Sequence, residues 1–214
     1  MDNKGKKVFY NILNYVHVFF WLGIFAFLTI YISLGFLLIP SLTSVFVIGK
    51  EIIFGDYDMT DSVFKRFFGG VKNNIGMMRY FPLQIIFCME GVGIYAANMA
   101  NMKVIAYICT ALMGLILTYI IFVCLCKVHF EQKCDLITVA VIMLYSLPYM
   151  ITIWLIMTLF CLFIGPVVMI ISLFVGALAL VLMQGAALVG ILHFKEKTSS
   201  LSEAETKIID RRRK

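Results

Sequence analysis

Charge is scarce in this sequence. Only 14% of its 214 residues are Asp, Glu, Lys or Arg, where a soluble domain carries about a quarter. With 62% of residues hydrophobic, too little polar surface remains to cover a globule in water. A soluble globular fold is therefore excluded, and lipid is the solvent that fits. Catalytic signatures are missing too. There is no glycine-rich phosphate loop, no HExxH, no G-x-S-x-G and no pair of cytoplasmic carboxylates with a supporting histidine. The expectation is a protein without enzymatic activity or cofactor. No basic stripe with interleaved aromatics lies outside the apolar segments, which argues against nucleic acid as a partner. The N-terminal apolar run is far longer than a signal h-region and has no small-residue cleavage site, so the first helix is expected to stay. No internal repeat is evident.

What is present is a series of long apolar runs. Val8 to Gly49 contains no Asp, Glu, Lys or Arg. As one helix it would reach roughly 63 Å, about twice the hydrocarbon thickness. It must fold back, and the turn is expected near Ile32 to Gly35. Applied along the chain, this reasoning predicts an all-α bundle of about six spans within a single transmembrane domain, 1–194. The spans are 8–31, 34–49, 81–99, 104–126, 136–162 and 166–193, and a polar tail, 195–214, follows. Pro40 makes the second span a candidate for bending or incomplete crossing. Between spans two and three, Val63, Phe64, Phe67, Phe68, Val71, Ile75 and Met78 recur at helical spacing. Lys65, Arg66 and Lys72 lie between them, which reads as an amphipathic interfacial helix over 61–78.

The basic residues set the orientation. With six spans, seventeen of the eighteen Lys and Arg residues fall on one face and only Lys103 on the other. The positive-inside rule makes that face cytoplasmic and puts both termini there. The outer connections are nearly absent, so an extracellular ligand-binding domain is excluded.

Some side chains stand out from the apolar background. Glu90 is the one formal charge well inside a predicted span, where a carboxylate costs on the order of 3 kcal/mol. It reads either as a proton or solute site or as a hydrogen-bonded structural carboxyl, and the structural reading is the commoner one. Asn11, Asn14 and His17 follow at i, i+3 and i+6 on the first span, as solute ligands or interhelical glue. Ser172, Gly176, Ala186 and Gly190 give the last span two small-x3-small pairs, a pattern that allows close helix packing. Cys124, Cys126, His129 and Cys134 are close in sequence, but C-x-C-x-x-H-x4-C is no established zinc spacing, and packing is the expected role.

Asn11 and Asn14 precede an aromatic-rich first span containing Trp21, Ile39-Pro40-Ser41-Leu42-Thr43 follows, and the basic-aromatic run from Val63 comes after it. In these parts, residues Asn11 to Tyr80 resemble the YesL family of small bacterial membrane proteins, which has no assigned activity. Ile39-Pro40-Ser41-Leu42-Thr43 stands at the family's Gly-Pro-Ala-Thr type turn, with Ile39 in place of the glycine. Val63-Phe64-Lys65-Arg66-Phe67-Phe68, then Val71-Lys72-Asn73-Asn74, is similar to the basic-aromatic segment before the family's third span. The resemblance covers about a third of the chain. It implies a bacterial cell-membrane protein in a carbohydrate-uptake context, accessory to a sugar ABC-transporter permease. In that role Phe64, Phe67 and Phe68 would anchor, while Lys65, Arg66 and Lys72 would contact headgroups or a partner. The alternative function is a small transporter or channel for a polar solute, with Glu90 and His17 lining its path.

Overall fold

The computed structural model describes residues 3–58, 60–130, 136–164 and 169–197, with side chains described over 12–58, 60–130, 137–152, 154–155 and 176–196. These residues form seven α-helices and one short 3-10 helix, with no strand among them. In order they are α1 (Asn3–Ile32), α2 (Leu38–Phe54), α3 (Val63–Asn73), the 3-10 helix (Ile75–Tyr80), α4 (Phe81–Met99), α5 (Lys103–His129), α6 (Leu136–Ile164) and α7 (Met169–Lys197). The all-helical expectation is met. The polar tail lies outside the described residues from 198 onward.

The expected turn near Ile32 is there, but α2 begins and ends later than 34–49. Leu34 and Gly35 take positive φ values of 50° and 87°, which reverses the chain. Every backbone N–H from Ser33 to Leu38 finds an acceptor in the turn, including the Ser33 hydroxyl oxygen, which accepts from Leu37 N–H at 3.1 Å. A turn next to hydrocarbon needs this self-sufficiency, because no water is there to complete it. Pro40 falls in the first turn of α2, where its missing N–H costs nothing, so it opens the helix rather than bending it. The helix then runs on through Lys50 and Glu51 to Gly55. That residue adopts the left-handed conformation (φ 80°), and the following N–H of Asp56 closes on Glu51 C=O at 2.8 Å.

The shortest of the apolar helices is the most enclosed. α2 touches α1, α3, α5 and α7, and Ile39 through Phe46 are buried without a break. On α5, Ile120 through Cys126 are likewise buried in succession, packed in one core with Ile39, Leu42, Phe46, Met183 and Ala187. The far half of α4 and the near half of α5 pair as a hairpin whose outer residues are open. Met89, Val92, Tyr95, Val104 and Tyr107 are each about two-thirds or more exposed. Apolar side chains this exposed are suited to a lipid surround rather than to water.

Four helical segments are long and apolar enough to cross a bilayer: Ile12–Ile32, Ile75–Met99, Lys103–His129 and Gly176–Glu196. The expectation of about six is not reached among the described residues. α2 has 17 residues, and the described apolar part of α6 is the shorter Ile137–Thr152. One contact also conflicts with six complete crossings. The expectation put the α1–α2 turn and the start of α4 on opposite faces, some 30 Å apart. The structure stacks Phe36 of that turn on Phe81 of α4, ring centroids 4.9 Å apart. Gln84, one turn further along α4, is buried at the same place. Its amide is satisfied when N donates to Gly35 C=O (2.9 Å) and O accepts from Ile39 N–H (3.3 Å). The turn and the start of α4 share one depth.

Candidate functional site

The segment expected as one surface helix over 61–78 is two elements folded back along the bundle. α3 packs on α2 and α1, and its stripe divides into two faces. Val63, Phe67 and Val71, one turn apart, are buried, with Phe67 fully enclosed. Phe64 and Phe68 are 57% and 37% exposed, and Lys65 and Lys72 are exposed beside them. The expected aromatic trio therefore splits: Phe67 is core, while Phe64 and Phe68 form an outer edge around Phe25. Gly69-Gly70 does not interrupt the helix. Gly70 lies against Ser44 of α2, whose hydroxyl donates to Phe67 C=O at 2.7 Å, and a Cβ at residue 70 would collide with that hydroxyl.

Arg66 is not available as a free headgroup contact. Its guanidinium forms ion pairs with Glu51 of α2 and with Asp61, and it lies over the Tyr57 ring at 4.8 Å. This pinning fixes the α2–α3 loop against the end of α2. Asp58 is tied down separately, by the backbone N–H and hydroxyl of Thr60 at 2.9 and 2.8 Å. Those hydrogen bonds hold its carboxyl below the ordinary range.

Between this loop and α1 lies a pocket of about 320 Å³. Asn14, His17, Trp21 and Phe25 line it from α1; Tyr57, Asp61, Ser62 and Phe64 line it from the loop and α3. The α1 groups recur every three to four residues, so one helical face supplies two polar side chains followed by two aromatic ones. Trp21 stacks on Phe25 (5.4 Å, 26°) and meets His17 edge-on (6.2 Å). Tyr57 is 9% exposed, and its hydroxyl is buried without a hydrogen-bond partner. Burial pushes that phenol above its usual value, and the nearby Arg66 cation partly opposes the shift.

The expected binding residues divide accordingly. Asn14 and His17 meet in the pocket, while the Asn11 side chain lies outside the described ones. Glu90 is elsewhere: half-buried on α4, it faces the Cys109 thiol across the α4–α5 hairpin. The structure does not bring Glu90 and His17 into one path. Of the small residues on α7, Gly190 is packed directly against Ser146 of α6, Ala186 is partly buried, and among the described residues nothing lies within 4 Å of a Cβ placed at Gly176. The Ser172 side chain lies outside the described ones.

Tyr57 and Ser62 did not stand out in the sequence as site residues. The signal available was the Gly55-Asp56-Tyr57-Asp58 turn, which places an aromatic among carboxylates. A second polar centre was also hard to foresee. Gln184 of α7, fully buried, donates from Nε2 to Phe46 C=O (2.8 Å) and sits 3.2 Å from His129 Nε2. Nearby, Lys50 Nζ donates to Val128 C=O at 3.2 Å. Cys124 and Cys126 are buried in the same core, and Cys134 lies outside the described residues. Comparison with protein-family models, with curated proteins and with solved structures finds no match.

Proposed function

We propose that this chain is a non-enzymatic integral protein of a bacterial cell membrane, accessory to a carbohydrate-uptake permease of the ABC-transporter type. The carbohydrate element comes from the YesL resemblance. The accessory element rests on one observation, the outer edge of α3. Phe64 and Phe68 stand exposed beside Lys65 and Lys72, on a helix whose opposite face is fixed to α2 by Phe67 and Gly70. An aromatic and basic edge held this rigidly is suited to an acidic partner surface at the headgroup level. In this reading α1 and α2 enter and leave by one face, the remaining crossings are even in number, and both termini are cytoplasmic.

The test is copurification from mild detergent, with the partner identified by mass spectrometry. Phe64→Ser with Phe68→Ser should abolish recovery of a permease, and Lys65→Gln with Lys72→Gln should weaken it in a salt-dependent way. Phe67 is left untouched because it belongs to the core. If the wild-type chain recovers no permease, or the double Phe variant recovers it in full, the accessory reading fails.

A further inference from the structure

We propose that the pocket between α1 and the α2–α3 loop binds an uncharged sugar ring, carried either by a glycolipid headgroup or by a free sugar. This reading stands on the lining of the pocket and does not need the accessory role. Charge is the first ground. No Lys or Arg lines the pocket, so an anion would find no counter-charge there. Asp61 is the only carboxylate in the lining, and its Oδ2 already holds the Arg66 guanidinium, so a cation gains little either. A neutral ligand is what remains.

Hydrogen-bonding character is the second ground. Asn14 and His17 stand one turn apart on α1, and Ser62 precedes α3 without capping it. The side chains of all three have no hydrogen-bond partner among the described residues. An amide and a hydroxyl each donate and accept, as does a neutral imidazole. Sugar hydroxyls also do both, whereas an ammonium only donates and a phosphate mainly accepts. A purely apolar ligand would strip water from these groups and give no hydrogen bond in return. Shape is the third ground. Trp21, Phe25 and Phe64 make one wall of the pocket, with Trp21 and Phe64 partly exposed, so that ring surface is open to a ligand. The C–H face of a pyranose packs on the electron-rich face of such rings while its hydroxyls turn outward. At about 320 Å³ the pocket falls at the small end of the range of roughly 300–1,000 Å³ typical of ligand sites, which suits one ring rather than a chain of them. The Tyr57 hydroxyl is enclosed and takes no part.

The test uses the full chain with Trp154→Phe, so that Trp21 is the only indole. In nanodiscs of phosphatidylcholine alone, methyl glucoside and methyl galactoside are titrated against Trp21 emission at fixed ionic strength. Tetramethylammonium, sodium phosphate and cyclohexanol, a ring with a single hydroxyl, serve as controls. At least one pyranoside should give a saturable change, and no control should. Asn14→Leu and Ser62→Ala should each weaken that response about fivefold. Ser62→Ala removes no helix cap, so its fold is kept even if Asn14→Leu fails to assemble. Repeating the titration in discs containing a glucosyl diacylglycerol separates the sources. Loss of the free-pyranoside response there identifies a lipid headgroup, and an unchanged response identifies a free sugar. Silence to both pyranosides in phosphatidylcholine discs, a saturable response to any control, or an undiminished response in Ser62→Ala overturns the proposal. No permease is present in the discs, so the outcome is independent of the copurification test.

Discussion

Phe36 and Phe81 lie almost parallel, 13° between their planes and 4.9 Å between centroids. The first belongs to the α1–α2 turn, the second opens α4 just after Arg79 and Tyr80. An offset stack of this kind contributes about 0.5–1.5 kcal/mol beyond area burial. Its larger value is as a depth marker, because two rings in contact cannot lie at opposite surfaces of a bilayer.

The depth assignment can be checked by chemistry from outside the cell. In a background without native cysteines, Leu34→Cys should resist a membrane-impermeant maleimide applied to intact cells, while Asn101→Cys, at the tip of the α4–α5 hairpin, should react. Equal labelling at the two positions would restore six complete crossings.

The adjacent glycines of α3 should behave in opposite ways. Gly70→Ala forces a Cβ into the Ser44 hydroxyl and should lower stability by about 1–3 kcal/mol. At Gly69 a Cβ meets nothing within 4 Å, and Ala should raise stability by roughly 0.5–1 kcal/mol through helix propensity. Thermal melting of the two variants in detergent reads the difference, and identical shifts would contradict the described packing of α3 on α2.

A similar pair lies on α7. At Gly190 an added Cβ would strike the Ser146 hydroxyl and come within 3.2 Å of its backbone nitrogen. At Gly176 it would meet nothing within 4 Å among the described residues. Gly190→Ala should therefore cost about 1–3 kcal/mol, and Gly176→Ala should be near neutral. If Gly176→Ala proved the costlier change, the described packing of α7 on α6 would be contradicted.

Tyr57 makes an alkaline prediction. Its folded pKa is raised above the ordinary 10.0, mainly by burial, so the neutral phenol is favoured in the folded state. That contribution is fully present below about pH 10 and is lost as pH rises through the folded value. Tyr57→Phe should remove one tyrosinate transition from the region above pH 10 and flatten the loss of stability there. Loss of a transition at the ordinary value near 10.0, with none lost above it, would show Tyr57 to be solvated.

The extent of most helices was legible because charge marks the ends of apolar runs. The predicted 81–99 coincides with α4, and 104–126 lies within α5. The same cue misled at α2, since Lys50 and Glu51 were read as a stop. Both are absorbed by partners from elsewhere in the fold, Val128 C=O and Arg66, so the helix continues past them. Asn14 and His17 could be placed on one face by spacing alone. Their partners could not, because Tyr57, Asp61 and Ser62 reach them through a loop whose position depends on Arg66 pairing. Periodicity saw one stripe on α3 but could not divide Phe67 from Phe64, for a stripe says which residues share a side and not which of them a neighbour covers. The contact between Phe36 and Phe81 has no local signal at all.

The unbroken enclosure of Ile120 to Cys126 bears on the order of assembly. Part of its wall comes from α2, made earlier, and part from Ala179, Met183, Ala187 and Ile191 of α7, made last. While synthesis stands between α5 and α7, that half of α5 has no finished socket, and Phe46 C=O has not yet met the Gln184 amide. Closure of the bundle is therefore a late, post-insertion event. A chain interrupted before residue 176 should enter the membrane yet remain a target for quality-control proteolysis.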